Sequence, residues 1–476
     1  MSNKNSPFLK QKHFLTMRNI LGNKNIVHGI IITLFFMFIY HIGTMITLPG
    51  ITLPSFYHQQ AKTSFLSTID LLSAGGFDKM SIFAIGLSPY ITAQIIVQLL
   101  SSDLVRPLKN LASAGEYGKR KIEIIIRLLT LPFCLIQAYA ILAMILNSNS
   151  SGSRSGIKIF DCEEIKKIPI KSLLCLMFLL TSGTYIAIFF SDMITKRGIG
   201  NGMTTLILGG IVSSLYRNFN YAFNSIKLLI MRQSQNNDQI TIFLSFFLYI
   251  SIYFVLLLFI IFINGTIRKI PIQQTGQGLI LDKKQLHFFT IKLNSVGVVP
   301  VIFASSLITI PGTIAQFFKN NEPRWFIEKW LTLNSWIGIM IFFFFIIIFT
   351  FFYSYVQINP MMIAENFQKS GKFILGVKVG NDTEKHLSTV LYRINCLGGP
   401  ILAIIAIVPY IISITTKIPT GMALGGTANI IMVTTCLELL NSIKSIATTS
   451  GYNITKKNID YSNNDNKTPK NITSLW

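Results

Sequence analysis

Five cysteines, six histidines and nineteen acidic residues are the side chains here that could carry nucleophilic, metal-binding or acid–base chemistry. Their spacing assembles none of it. Cys134, Cys162, Cys175, Cys396 and Cys436 form no CxxC or Cys/His ligand pattern, and four of them lie in or beside apolar runs. That pattern reads as packing, with neither a disulfide framework nor a metal site. No H-E-x-x-H, G-x-S-x-G or G-x-x-x-x-G-K-S/T motif occurs. Glu438, Arg127 and Arg393 stand near the ends of apolar runs, where long side chains snorkel. No acidic residue stands in the middle of one, where ion-coupled transport would want it. What remains is a pore whose wall is apolar, since apolar constrictions gate by excluding water. No cofactor is expected.

The elements that must position such side chains are membrane spans. The chain is 51% hydrophobic and only 13% charged, about half the charge of an ordinary soluble domain. Apolar runs of about 20 residues, long enough to cross a bilayer, recur at 26–46, 82–101, 124–146, 171–190, 200–216, 240–263, 294–318, 336–357, 391–414 and 421–442. The first run is too long for a signal-peptide core and no A-x-A site follows it, so an uncleaved span is expected. Of the Lys and Arg residues, 26 fall in loops on the N-terminal side and 13 on the other, with Arg127, Lys171 and Arg393 at span edges. That bias places both termini in the cytoplasm and accounts for the net charge of +23 without nucleic acid. Five spans precede the loop at 217–239 and five follow it, so the halves run in opposite orientations, the topology of an inverted repeat.

Several segments are distinctive together. Residues 72–100 read LSAGGFDKMSIFAIGLSPYITAQIIVQLL, 192–213 read DMITKRGIGNGMTTLILGGIVS, and 292–318 read KLNSVGVVPVIFASSLITIPGTIAQFF. Residues 359–380 read NPMMIAENFQKSGKFILGVKVG, and Gly425-Gly426-Thr427 opens the last span. From about residue 20 to about 445 the chain resembles the SecY family, the pore subunits of the general protein-export channel. The resemblance implies an all-α polytopic membrane protein, with two inverted five-helix halves forming an hourglass pore. By position, the ring sealing its waist is Leu87, Ile91, Met203, Ile207, Ile302 and Ile431. Met203 stands where isoleucine is more usual, and a softer methionine makes a more yielding seal.

The resemblance further implies a plug at 65–80 hinged at Gly75 and Gly76. It also implies a lateral gate between the spans at 82–101 and 124–146 and those at 294–318 and 336–357, with Gln98 on the gate face. Loops 264–292, read as a β-hairpin, and 359–390 are the expected docking surface, with Lys283, Lys284 and Lys378 as its basic residues. Two departures fall there: Gly376-Val377-Lys378-Val379-Gly380 replaces the usual G-I-R-P-G, and the hairpin tip is less basic. The domain plan is a cytoplasmic N-terminus (1–25), a first half (26–216), an external hinge loop (217–239), a second half (240–445) and a disordered cytoplasmic tail (446–476).

Implied partners are SecE and SecG in a heterotrimer, the SecA ATPase or the ribosome on the cytoplasmic side, membrane lipid, and a presecretory polypeptide as substrate, with no direct contact to nucleic acid. No enzymatic activity is expected. The implied membrane is the plasma (inner) membrane of a bacterium, with a plastid membrane as the alternative. The alternative function is an inverted-repeat secondary transporter, which predicts a charged or unwound site at mid-depth. A non-conducting scaffold or insertase would need neither plug nor ring.

Overall fold

In the computed structural model, the described residues are 24–52, 70, 73–77, 79–101, 105–150, 158–159, 169–231, 251, 253–275, 287–294, 296–315, 330, 333, 335–416 and 426–465. The expected sites at Lys283, Lys284 and the hairpin tip lie outside them, as does most of the stretch 65–72.

A helix stands in each expected span. These are α1 (Lys24–Gly43), α2 (Ser88–Leu99), α4 (Gly115–Ser150), α5 (Ile170–Arg197), α6 (Gly202–Met231), α7 (Tyr253–Gly265), α8 (Val299–Ala315), α9 (Trp336–Gln357), α11 (Asn381–Thr416) and α12 (Gly426–Asp465). Two further helices, α3 (Arg106–Ser113) and α10 (Pro360–Lys369), precede α4 and α11. Among the described residues six helices are long and apolar enough to cross a membrane by themselves; of the other four, α2, α7 and α8 are shorter, and α6 contributes the apolar stretch Gly202–Tyr216.

The apolar residues sort by helical face. On α9, Phe342, Ile346 and Phe349 are buried while Phe344 and Ile348 are more than half exposed. On α1, Ile26, Gly29, Thr33, Tyr40 and Gly43 are buried while Ile31, Leu34, Phe35 and Phe38 face outward. So much exposed aliphatic and aromatic surface is compatible with lipid as the surrounding solvent and with little else.

The neighbour relations of the first half repeat in the second. Helix α2 packs on α4, α4 on α5 and α5 on α6; α8 packs on α9, α9 on α11 and α11 on α12. The halves meet along two seams, α8 against α2 and α4, and α12 against α6 and α1. Small residues let the backbones approach. A Cβ on Gly183 of α5 would overlap the carbonyl of Ile82, and one on Gly43 of α1 would overlap the ring of Phe83.

The structure revises four expected boundaries. The span at 82–101 is helical only from Ser88, because Gly86 has φ 63° and Pro89 occupies the first helical turn. The non-helical stretch 82–87 is mostly buried inside protein, where irregular backbone is tolerated at membrane depth. Helix α6 runs through most of the expected loop 217–239, as no glycine or proline lies between Leu215 and Met231. Helix α12 continues through Asp465 across the expected disordered tail, since no proline lies between Pro419 and Pro469. The fourth revision concerns the two docking loops.

Loop 264–292 does form a hairpin, β3 (Ile267–Gln274) with β4 (His287–Lys292), in antiparallel register Ile270↔Phe289. Loop 359–390 is not simply a loop. Asn359 caps α10 by accepting from the Met362 N–H at 3.3 Å, with Pro360 at its start. Then β5 (Lys372–Ile374) pairs antiparallel with β3, Ile272↔Ile374, giving a sheet in the order β4-β3-β5. Thr275 N–H and Oγ1 both donate to the Gly371 carbonyl, at 2.8 and 2.6 Å. Ile270, Ile291 and Ile374 pack with Leu387, Leu391 and Ile394 of α11, which anchors the sheet on a span. Outside this unit, β1 (Ile51–Thr52) pairs with β2 (Lys158–Ile159).

Candidate pore, plug and lateral gate

Leu87 caps α2 and Ile91 follows one turn later, its N–H bonded to the Leu87 carbonyl at 3.1 Å. Met203 and Ile207 lie on α6, Ile302 on α8 and Ile431 on α12. The structure brings all six into one apolar cluster drawn from both halves. Five are at most 3% exposed, and Met203 is half-buried against them. None of the six is an exposed, lipid-facing side chain.

The plug segment meets this cluster from the side of α1 and α6. Asp70, Ser73, Ala74, Gly75, Gly76, Phe77 and Met80 are buried. The segment is held by its own turns: Gly75 N–H to Asp70 O (2.8 Å), Gly76 N–H to Ser73 O (3.1 Å), Phe77 N–H to Ser73 Oγ (3.1 Å) and Ser81 Oγ to Gly76 O (3.0 Å). Tyr40 of α1 donates its hydroxyl to the Ser73 carbonyl at 3.5 Å. The two glycines differ in role. Gly75 has φ 83° and needs glycine's freedom, whereas Gly76 has no positive φ but no room, since a Cβ there would lie 2.8 Å from Ser81 Oγ. Ala74 (φ 56°) and Met80 (φ 45°) are left-handed without being glycine, a strain of about 1–2 kcal/mol each.

The expected lateral gate falls at the seam of α8 against α2 and α4. Gln98 lies with its amide beside the phenol of Tyr353 on α9, and Tyr353 in turn stacks edge-on with Phe303 of α8 at 5.6 Å. Gln98 Oε1 and, one turn earlier, Gln94 Oε1 are buried without a hydrogen-bond partner among the described residues. Gln137 of α4 donates to Ser88 Oγ of α2 at 3.4 Å, tying two gate helices together.

Sequence reasoning missed three polar features of the spans. Arg127 does not simply snorkel: it donates to Glu123 at 2.7 Å and to Asp192 of α5 at 2.5 Å, and its carbonyl accepts the Tyr185 hydroxyl at 2.8 Å. Asn429, two residues before Ile431, is 2% exposed with neither amide atom paired among the described residues. Asn294 donates to Asn264 Oδ1 at 2.8 Å and Asn264 to Thr434 Oγ1 at 3.3 Å, a chain that ties the end of α7 to α12. A lone amide in an apolar run is the only signal the sequence offered for Asn429.

At the docking loops, Lys378 is exposed and its carbonyl accepts the Thr383 hydroxyl at 2.8 Å, between Gly376 and Gly380, both at positive φ. Of the cysteines described, Cys134 is buried in the core, whereas Cys175, Cys396 and Cys436 are exposed on the spans. Among the described residues no group of three or more His, Cys, Asp or Glu side chains could hold a metal ion.

The family model for SecY matches residues 81–440. The protein translocase subunit SecY of Mycoplasmoides gallisepticum is 45% identical over 92% of this chain and 86% of its own length. The protein of the same name from Mycoplasma pneumoniae is 41% identical over 96% and 94%, and that of Staphylococcus aureus 31% identical over 90% and 96%. Among solved structures, a protein-conducting channel superposes with a TM-score of 0.61 at 16% identity, covering 88% of this chain and 92% of that one. Sec61 in the canine ribosome–channel complex from the endoplasmic reticulum superposes at 0.58 and 15% identity with the same coverage. The ten-span, two-half architecture and the matches along its length lead to one conclusion: the chain belongs to the SecY family.

Proposed function

We propose that this protein is the central channel subunit of a bacterial Sec translocase, passing unfolded polypeptides across the membrane and releasing apolar segments sideways into lipid. The observation that carries the reading is the convergence of six aliphatic and thioether side chains from four helices, in both halves, on one buried cluster. Such a ring excludes water and ions at rest yet makes no specific demand on what passes, which suits a chemically varied substrate. Leu87, Ile91, Met203, Ile207, Ile302 and Ile431 form the seal, the segment around Gly75 and Gly76 is the plug, and Gln98 belongs to the lateral gate.

An interhelical hydrogen bond in a membrane contributes only about 0.6–2 kcal/mol. A gate with one amide–phenol contact and unpaired amides beside it is therefore readily biased by an entering apolar helix. The protein does no covalent chemistry, and partners supply the energy. SecE and SecG complete the complex, and SecA or the ribosome docks at the sheet β4-β3-β5 and at Lys378 after β5, with Lys283 and Lys284 of loop 264–292 as further basic contacts. Both termini lie in the cytoplasm, and the membrane is the bacterial inner membrane.

Reconstitution with SecE and SecA in vesicles tests this. ATP-dependent uptake of a presecretory protein into a protease-protected space is expected; no uptake while both partners are bound refutes the reading.

A further inference from the structure

Helices α9 and α11 pack side by side, but towards the end of α9 they part around a groove of about 380 Å³. Phe351 and Tyr355 line it from α9, and Ser388, Thr389, Tyr392 and Asn395 from α11. The positions 351/355 and 388/392/395 each lie along one helical face, so the groove follows α9 for one turn and α11 for two. Its walls are aromatic, with Phe351 and Tyr392 rings 5.6 Å apart and Tyr355 and Tyr392 both about 60% exposed at the mouth. Its floor is polar. Asn395 is 4% exposed and lines the groove with its side-chain amide. Ser388 and Thr389 spend their hydroxyl protons on the Lys385 carbonyl at 2.9 and 2.8 Å, so their oxygens can only accept from a ligand.

The site sits at a membrane boundary. Tyr355 is two residues from the end of α9, and Ser388 lies two turns into α11, which starts next to β5 and α10. Aromatic side chains with polar tips belong at that level. A ligand filling the groove must therefore be an amphiphile with hydroxyl donors in its head for Ser388, Thr389 and Asn395 Oδ1, and acceptor oxygens for the Asn395 amide protons. Arg393, next in the chain to Tyr392 and exposed, does not line the groove but puts a positive charge at the same depth outside it. A choline head has no donor and would leave the hydroxyl oxygens unpaired.

We propose that this groove binds one molecule of a hydroxyl-headed anionic phospholipid of the phosphatidylglycerol class, its head held by Asn395, Ser388 and Thr389 and one acyl chain along Phe351, Tyr355 and Tyr392. The proposal needs only that α9 and α11 span the membrane and is independent of the channel reading.

The full chain, delipidated in detergent, is titrated with phosphatidylglycerol and with phosphatidylcholine, and bound lipid is counted by native mass spectrometry. One tight phosphatidylglycerol is expected, at least tenfold tighter than phosphatidylcholine. Asn395→Leu is expected to weaken it about tenfold. Tyr392→Ala, at an exposed position that leaves the fold intact, is expected to weaken it too. Equal binding of the two lipids overturns the proposal, as does binding unchanged by both variants. Photo-crosslinking from position 392 in native membranes that captures a protein subunit in place of lipid overturns it as well.

Discussion

Gly210 on α6 decides how closely the plug can approach the wall. A Cβ at this position would overlap both Cα and Cβ of Ala74 and lie 3.0 Å from the Ala74 carbonyl carbon. Carbon atoms in contact prefer about 3.5–4.0 Å, whereas the Ala74 Cα would stand at 2.2 Å, so in Gly210→Ala the plug backbone must retreat by about 1–2 Å. Backbone cannot give as a side-chain tip can, and Ala74 already holds a left-handed φ of 56° between the turn at Ser73 and Gly75. Overpacking of this kind costs about 1–3 kcal/mol, which raises the displaced-plug population about 5- to 150-fold. The next residue supplies the control. A Cβ on Gly209 meets only the terminal methyl of Met37, at 2.9 Å, which can swing away. In vesicles containing the resting channel, ion leak should rise severalfold or more for Gly210→Ala and stay near native for Gly209→Ala. Equal leak from the two variants, or a tight Gly210→Ala channel, would show that α6 does not seat the plug.

Three further outcomes follow from buried polar groups. Asn429→Val removes an amide whose two polar atoms are buried and unpaired among the described residues; the closed state should gain about 1–3 kcal/mol, read as a higher Tm and lower resting leak, and a Tm at or below native refutes this. Arg127→Gln leaves Asp192 and Glu123 without their shared cation; because the three side chains are 21–40% exposed, the loss should be only about 1–2 kcal/mol, and adding Asp192→Asn should recover part of it, with no recovery counting against the clamp. A double-mutant cycle of Gln98→Leu and Tyr353→Phe, read by thermal unfolding, should give a coupling of about 0.6 kcal/mol; zero coupling would mean the amide and phenol do not hold the gate.

The spans were legible because apolar runs and loop charge are set by the solvent, and lipid writes its requirement on every residue it touches. The proposed ring positions stand out as i,i+4 pairs, Leu87 with Ile91 and Met203 with Ile207, only once the family's motifs single them out from many aliphatic residues. The helix limits were less legible. Nothing between Leu215 and Met231 stops a helix, yet polarity suggested a loop. The reverse held at 82–87, where hydropathy suggested a span and Gly86 with Pro89 prevents a helix. Pairings between distant segments were not legible at all. Arg127 reads as a snorkelling cation until α5 brings Asp192 to it, 65 positions away. Three residues, Lys372 to Ile374, carry no strand signal of their own and become β5 only because β3 offers an open edge.

That third strand has a mechanical consequence. Without it, a load on the hairpin tip would bend a free two-stranded arm. With β5 in register and Thr275 fastened twice to Gly371, the sheet is a crossbar between the roots of α7 and α8 on one side and those of α10 and α11 on the other. On the proposed function, a push from a partner docked on this sheet would pass into the helices of the second half that the sheet joins. Displacement would then be felt where the second half meets the first, along the seam of α8 with α2 and α4 that is the proposed lateral gate.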